Sequence, residues 1–137
     1  MITRTAIERD LVIVACAISA GIHAALTPEH WTERAAAGAG FAVATVLLAV
    51  LALALTRALS SAALAGATVL FAGLLVSYGL AVTSGLPVLH PHPEEVDGLA
   101  LFTKAVEVVG LIAATHLLSD RRSAPVPSSS RLKGTLA

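Results

Sequence analysis

The chain has 137 residues, enough for one domain. Hydrophobic residues make up 56% and charged residues 13%, about half the charged share of an ordinary soluble domain, so an all-round water-facing surface is excluded. Formal net charge is zero, which excludes a global field for nucleic acid.

The single cysteine, Cys16, excludes an intrachain disulfide. Ile13-Val14-Ala15-Cys16 loosely resembles a lipoprotein cleavage box, but the apolar run before it, Leu11 to Ala15, is too short for a signal-peptide core. A signal peptide cleaved near Ala20 is the stronger rival. Asp10, where positive charge is preferred, argues against it.

Four apolar runs follow in order: Leu11 to Thr27, Ala35 to Thr56, Ser61 to Ser84 and Gly98 to Leu118. Each is close to the roughly 20 residues that carry a helix across a hydrocarbon core of about 30 Å. Helices satisfy their own backbone in lipid, and no run shows the period-2 alternation of a barrel strand. The expected fold is therefore all-α, an integral membrane four-helix bundle. Its links are short: Pro28 to Arg34, Arg57 to Ser60, and Gly85 to Asp97 with Pro87, Pro91 and Pro93. Short links predict antiparallel neighbours in an up-down-up-down order. Residues 1–10 are expected as a separate N-terminal segment and 119–137 as a disordered basic tail, rich in proline and serine.

Orientation is read from the basic residues. Arg4, Arg9, Arg57, Arg121, Arg122, Arg131 and Lys133 fall on one side of the expected bundle, and only Arg34 on the other. This predicts a multi-pass protein of the cell membrane with both termini in the cytoplasm. Glu29, Glu33, Glu94, Glu95 and Asp97 then face outward, with Trp31 as an interfacial anchor.

Small residues predict close helix packing, since dispersion replaces the hydrophobic drive in lipid. Helix two carries Gly38, Ala42, Thr45, Ala49, Ala52 and Thr56 at heptad spacing. Helix three carries Gly66, Gly73, Ser77 and Ser84; helix four carries Gly110 and Ala114.

Chemistry is expected where ionisable groups lie inside apolar runs. Lys104 and Glu107 are three apart, share a helix face and can pair. They sit roughly 9 and 14 Å below the outer boundary, where charge turns toward the bundle interior or a water-filled cavity. Cys16, Ser19 and His23 form one stripe of helix one, with Cys16 too far from His23 to share a metal. His23 and Tyr78 lie at a similar outer depth. The expected buried polar cluster is therefore His23, Tyr78, Lys104 and Glu107, with Glu107 directed at helices one and three. A structural ion pair that fixes packing is the competing reading. His116, near the cytoplasmic end and about 180° around the helix from Glu107, is expected to reach the headgroups. It lies in the opposite leaflet from His23, so one haem between them is excluded.

His90-Pro91-His92, with Glu94 and His30, offers imidazole and carboxylate ligands suited to Cu(II) or Zn(II) on the outer face. The alternative is a proline-stiffened solvated loop that starts helix four at Pro93 and Glu94. No nucleotide-binding glycine loop, nucleophile elbow or HExxH is present, so the balance is against an enzyme.

Gly21-Ile22-His23 in helix one and Thr103-Lys104-Ala105-Val106-Glu107 in helix four resemble features of small uncharacterised four-helix membrane proteins of actinobacterial type. That resemblance spans Leu11 to Leu118, implies the fold and supplies no activity. The functional expectation is a non-enzymatic membrane protein binding a small ligand or metal ion from the outer side. The alternatives are an accessory subunit of a larger membrane complex, or a proton-coupled transporter, which with four helices would need to be an oligomer.

Overall fold

The structure, a computed structural model, describes residues 3–87, 93 and 95–123. The described residues are all-helical in their regular elements: α1 (Arg4–Glu33), α2 (Ala35–Arg57), α3 (Ser61–Thr83) and α4 (Gly98–Ser123). Side chains set three of the starts. Thr3 Oγ1 accepts from the Ala6 N–H, Ser60 Oγ from Ala63 and Asp97 Oδ1 from Ala100, so each supplies a partner for a first-turn donor. Asp97 precedes the first residue of α4, and Pro93 lies outside the helix.

α1 is much longer than the run Leu11 to Thr27. It starts at Arg4, where the Thr3 cap and the Arg4–Glu8 pair at 2.8 Å support the first turns, and it absorbs most of the expected N-terminal segment. It also passes through Pro28 to Glu33. Proline withdraws one N–H from the ladder. Nearby hydroxyls supply extra donors: Thr27 to the His23 carbonyl at 2.7 Å and Thr32 to the Glu29 carbonyl at 2.7 Å. The expected seven-residue loop shrinks to Arg34 alone, in extended conformation. Gly38 permits this tight reversal, because a Cβ there would lie 2.6 Å from Trp31 Cα. Trp31 is thus packed against the start of α2. At the other terminus α4 continues past Leu118 to Ser123, with Arg121 and Arg122 complementing its negative end. The expected disordered tail lies, from residue 124 onward, outside the described residues, as do residues 88–92 and 94.

α1 packs broadly on α2 and on α4, and α4 on α3; α2 and α3 meet over a smaller surface. The core runs along these seams, with Val12, Cys16, Ala114 and Leu117 on the α1 and α4 sides and Leu48, Leu55, Leu64 and Phe71 on the other two. The expected small-residue seams of α2 and α3 are not the main packing faces. In α2 the buried positions are Ala37, Gly38, Ala44, Leu48 and Leu55, while Ala49 and Thr56 are exposed. In α3, Gly73, Ser77 and Ser84 are exposed and Ala63, Leu64, Ala67 and Phe71 are buried. These faces mix small residues with Leu48, Leu55, Leu64 and Phe71, whose larger side chains make more dispersion contacts across the seams. Only the α4 pair, Gly110 and Ala114, is wholly buried.

Outward faces are apolar. Val43, Val50, Leu53, Val69, Val76 and Ile112 are each more than half exposed. In water such surface would drive association, whereas lipid solvates it. All four helices are long and apolar enough to cross a membrane.

At Gly110 three helices come into close contact. A Cβ at this position would lie 2.6 and 2.7 Å from the Phe71 ring of α3 and 2.8 Å from Ala15 Cβ of α1. Gly110→Ala is expected to destabilise by about 1–3 kcal/mol through overpacking. Gly21→Ala, where nothing lies within 4 Å of the new Cβ, is expected to be neutral or slightly stabilising. Thermal unfolding of the two variants in one detergent checks this; equal midpoints would show that the three helices do not meet closely at Gly110.

Candidate functional site

The buried polar residues lie on facing stripes of α1 and α4. Ser19 and His23 continue the buried row Val12, Ala15, Cys16 on α1. Thr103 and Glu107 continue Gly110, Ala114, Leu117 on α4. The helical period that builds the core therefore also carries polar groups into it.

Glu107 is completely buried. A carboxylate in that position needs partners for both oxygens. Lys104 Nζ donates to Oε2 at 2.6 Å, and Ser19 Oγ donates to Oε1 at 2.8 Å across the α1–α4 seam. Lys104 also lies 5.3 Å from the centroid of the Tyr78 ring, within range of a cation–π attraction. His23 Nδ1 stands 2.8 Å from the Ser19 carbonyl. A carbonyl only accepts, so Nδ1 carries the hydrogen, and in the neutral ring Nε2 is left with the lone pair. The His23 ring lies 5.2 Å from Phe41, which also stacks on His30 at 4.0 Å.

Above this network a cavity of about 360 Å³ opens between the C-terminal ends of α1 and α3 and the N-terminal ends of α2 and α4. Its walls are mostly apolar, Leu26, Phe41 and Leu74 among them. His23, Tyr78 and Lys104 lie along its lining, as do Glu29, Glu95 and Asp97. The Tyr78 hydroxyl oxygen is buried and has no hydrogen-bond partner among the described residues.

The four residues expected to cluster are thus placed together, but not through the contacts depth alone suggested. Glu107 turns to α1, and it is Lys104 that reaches α3, through Tyr78. His23 touches Glu107 only by way of Ser19. Ser19 is the member that sequence reasoning left without a role. Its signal was its position one turn before His23, at a depth matching Glu107. Of the expected metal ligands, His30 lies in the cavity lining, with Nδ1 3.1 Å from the Leu26 carbonyl. His90, His92 and Glu94 lie outside the described residues.

His116 does not simply extend to headgroups. Arg4 Nη2 lies 2.9 Å from its Nε2 and Glu8 Oε2 lies 3.2 Å from its Nδ1, tying α4 to the first turns of α1. From the sequence α1 extends back at most through Thr5, Ala6 and Ile7, so neither Arg4 nor its pairing with His116 is in view.

No family model, curated protein or solved structure matches the chain.

The Lys104–Glu107 pair generates a non-additive expectation. Lys104→Met leaves Glu107 with one neutral donor, and Glu107→Gln leaves an ammonium without its counter-charge. Each single change is expected to cost about 3–5 kcal/mol, and the double change less than either, because a lone buried charge is worse than none. Thermal unfolding of the three variants decides it; additive losses would mean the pair is not energetically coupled.

Proposed function

We propose that the chain is a non-enzymatic, multi-pass membrane protein that takes up a small, mostly apolar molecule from the outer side. The single observation that carries this reading is the cavity of about 360 Å³ over the Lys104–Glu107 pair. Its size falls in the range of small-molecule sites, and its few polar groups converge on one region of an apolar wall. Lys104 spends one of its three N–H donors on Glu107, and the His23 Nε2 lone pair is an acceptor, so a hydroxyl-type group on the ligand is matched by both. Glu29, Glu95 and Asp97 give the lining a negative excess that selects against anions.

The insertion accompanying this reading is up-down-up-down with both termini in the cytoplasm. Two features support it. The cavity gathers residues 22–30, 37–44, 74–86 and 95–104 at one end, and the Arg4, Arg57, Arg121 and Arg122 positions belong to the opposite helix ends. Single cysteines at Val88 and Ser129, in a Cys16→Ser background, are expected to label from opposite sides of the membrane. Labelling of both from one side would remove the orientation and the outer location of the cavity.

A second reading, an accessory subunit of a larger membrane complex, is favoured by one observation. Ala49 and Thr56 of α2 and Gly73 of α3 remain exposed, so small-residue positions are available to other helices.

The ligand reading is tested by filling the cavity. Ala44, buried on α2, lines it, and Ala44→Trp places an indole in the space. Parent and variant are extracted in mild detergent, checked for equal folding by circular dichroism, and their retained small molecules compared by native mass spectrometry. A species held by the parent and lost from the variant is expected. Equal retention, or none by either, would overturn ligand binding. A heterologous protein subunit retained by both would instead favour the accessory role.

A further inference from the structure

The opposite end of the bundle carries a second side-chain cluster. Glu8 comes from the second turn of α1, while His116 and Asp120 stand four apart on α4 and so share a face. His116 Nδ1 lies 3.2 Å from Glu8 Oε2 and 3.5 Å from Asp120 Oδ2, and one ligand atom from each residue falls within 4.8 Å of the others. Zinc-class ions bind imidazole nitrogen and carboxylate oxygen at about 2.0–2.1 Å in a tetrahedron, which puts neighbouring ligand atoms roughly 3.3 Å apart. Both measured separations flank that value. The side chains are reachable from water: His116 is 39% and Asp120 63% exposed.

We propose that Glu8, His116 and Asp120 form a binding site for a divalent transition-metal ion that bridges α1 and α4, and that Arg4 is the cation with which the metal competes. Arg4 Nη2 lies 2.9 Å from His116 Nε2, and Arg4 Nε lies 2.8 Å from Glu8 Oε1. A guanidinium only donates, so in this arrangement Nε2 holds the lone pair and Nδ1 the hydrogen. Metal at Nδ1 requires the other tautomer. The ring proton moves to Nε2, the total number of protons on the ring is unchanged, and Nε2–H then faces the Arg4 N–H. Arg4 must leave. Its side chain is 73% exposed, so it can do so into solvent without disturbing the core. Three protein ligands leave a fourth position to water, so the site is open and binding is reversible.

This pairing of metal and arginine gives the test a sign that a plain ion-pair network does not share. Zn(II) is titrated by calorimetry into the full chain in detergent, in a His90→Ala plus His92→Ala background that removes two further imidazoles. Thermal midpoints are recorded with and without Zn(II). His116→Ala and Asp120→Asn are each expected to weaken binding by more than the about tenfold that even an outer-shell partner commands. Arg4→Gln is expected to tighten it, and Zn(II) is expected to raise the thermal midpoint of the parent background and of Arg4→Gln. Asp120 is exposed, so Asp120→Asn keeps the question decidable if His116→Ala does not fold. Binding unchanged in His116→Ala or in Asp120→Asn, or weakened in Arg4→Gln, would overturn the assignment.

Discussion

The constraint on which the rest of this bundle depends is the burial of the Glu107 carboxylate. It lies at full burial in an interior that is mostly apolar, and two oxygens there demand two donors. One comes from its own helix, through Lys104, and needs no tertiary structure. The other comes from Ser19, and that bond fixes the height of α1 against α4. One turn beyond Glu107, Gly110 then faces Ala15 and Phe71, and no side chain larger than hydrogen fits without displacement. Two turns further His116 meets Glu8. Sliding α1 by a turn would strand the carboxylate, drive Ala15 off Gly110 and part His116 from its partners. Replacing a buried ion pair with apolar side chains is often neutral or stabilising, so Glu107 contributes register, through Ser19, more than net stability.

Much of the architecture was legible because lipid-length apolar runs are a strong signal. Ala35 to Thr56 and Ser61 to Ser84 differ from the helices by one residue each. The ends of α1 were not, for two physical reasons. Pro28 reads as a breaker, yet it costs one hydrogen bond in a helix long enough to absorb it, and threonine hydroxyls stand close by. The turns before Leu11 are polar, and their helicity comes from a Thr3 cap and an Arg4–Glu8 pair rather than from apolar periodicity. Within the site, depth was legible and rotation was not. Counting residues places His23, Tyr78, Lys104 and Glu107 in one layer; it cannot tell whether Glu107 looks at α1 or α3. The small-residue seams failed for a related reason. In an alanine-rich chain such spacings arise on several faces at once, and the larger Leu48 and Leu55 make more dispersion contacts across the seams.

The cavity has a simple origin in residue size. Along the half of the α2–α3 contact distant from the cavity, Leu48, Leu55, Leu64 and Phe71 are fully buried. Toward the other half the lining includes the small residues Gly40, Ala44, Ser77 and Ala81 beside Phe41 and Leu74. The helix axes do not collapse to compensate, because α1 is held to α2 by the one-residue link at Arg34 and to α4 by the Glu107 bonds. A frame fixed on two seams and filled with small side chains on the third leaves a void, and that void opens where the polar groups are.

The two polar regions also differ in what surrounds them, and this sets what each can do. The Lys104–Glu107–Ser19 network is dry on its Glu107 side, so its groups interact through a medium of low dielectric and their geometry is stiff. The Arg4–Glu8–His116–Asp120 cluster is half in water, so its charges are screened and its side chains can exchange partners at little cost. Between them lie about three turns of α1 with a buried apolar row, Val12, Ala15 and Cys16, on the same seam as Gly110 and Ala114 of α4. Rearrangement at the wet end can be confined to Arg4, Glu8, His116 and Asp120, since neither the Gly110 contact nor the Ser19–Glu107 bond involves them. The stiff end determines the register of the α1–α4 seam; the wet end shares that seam and is free to change its ligands without altering it.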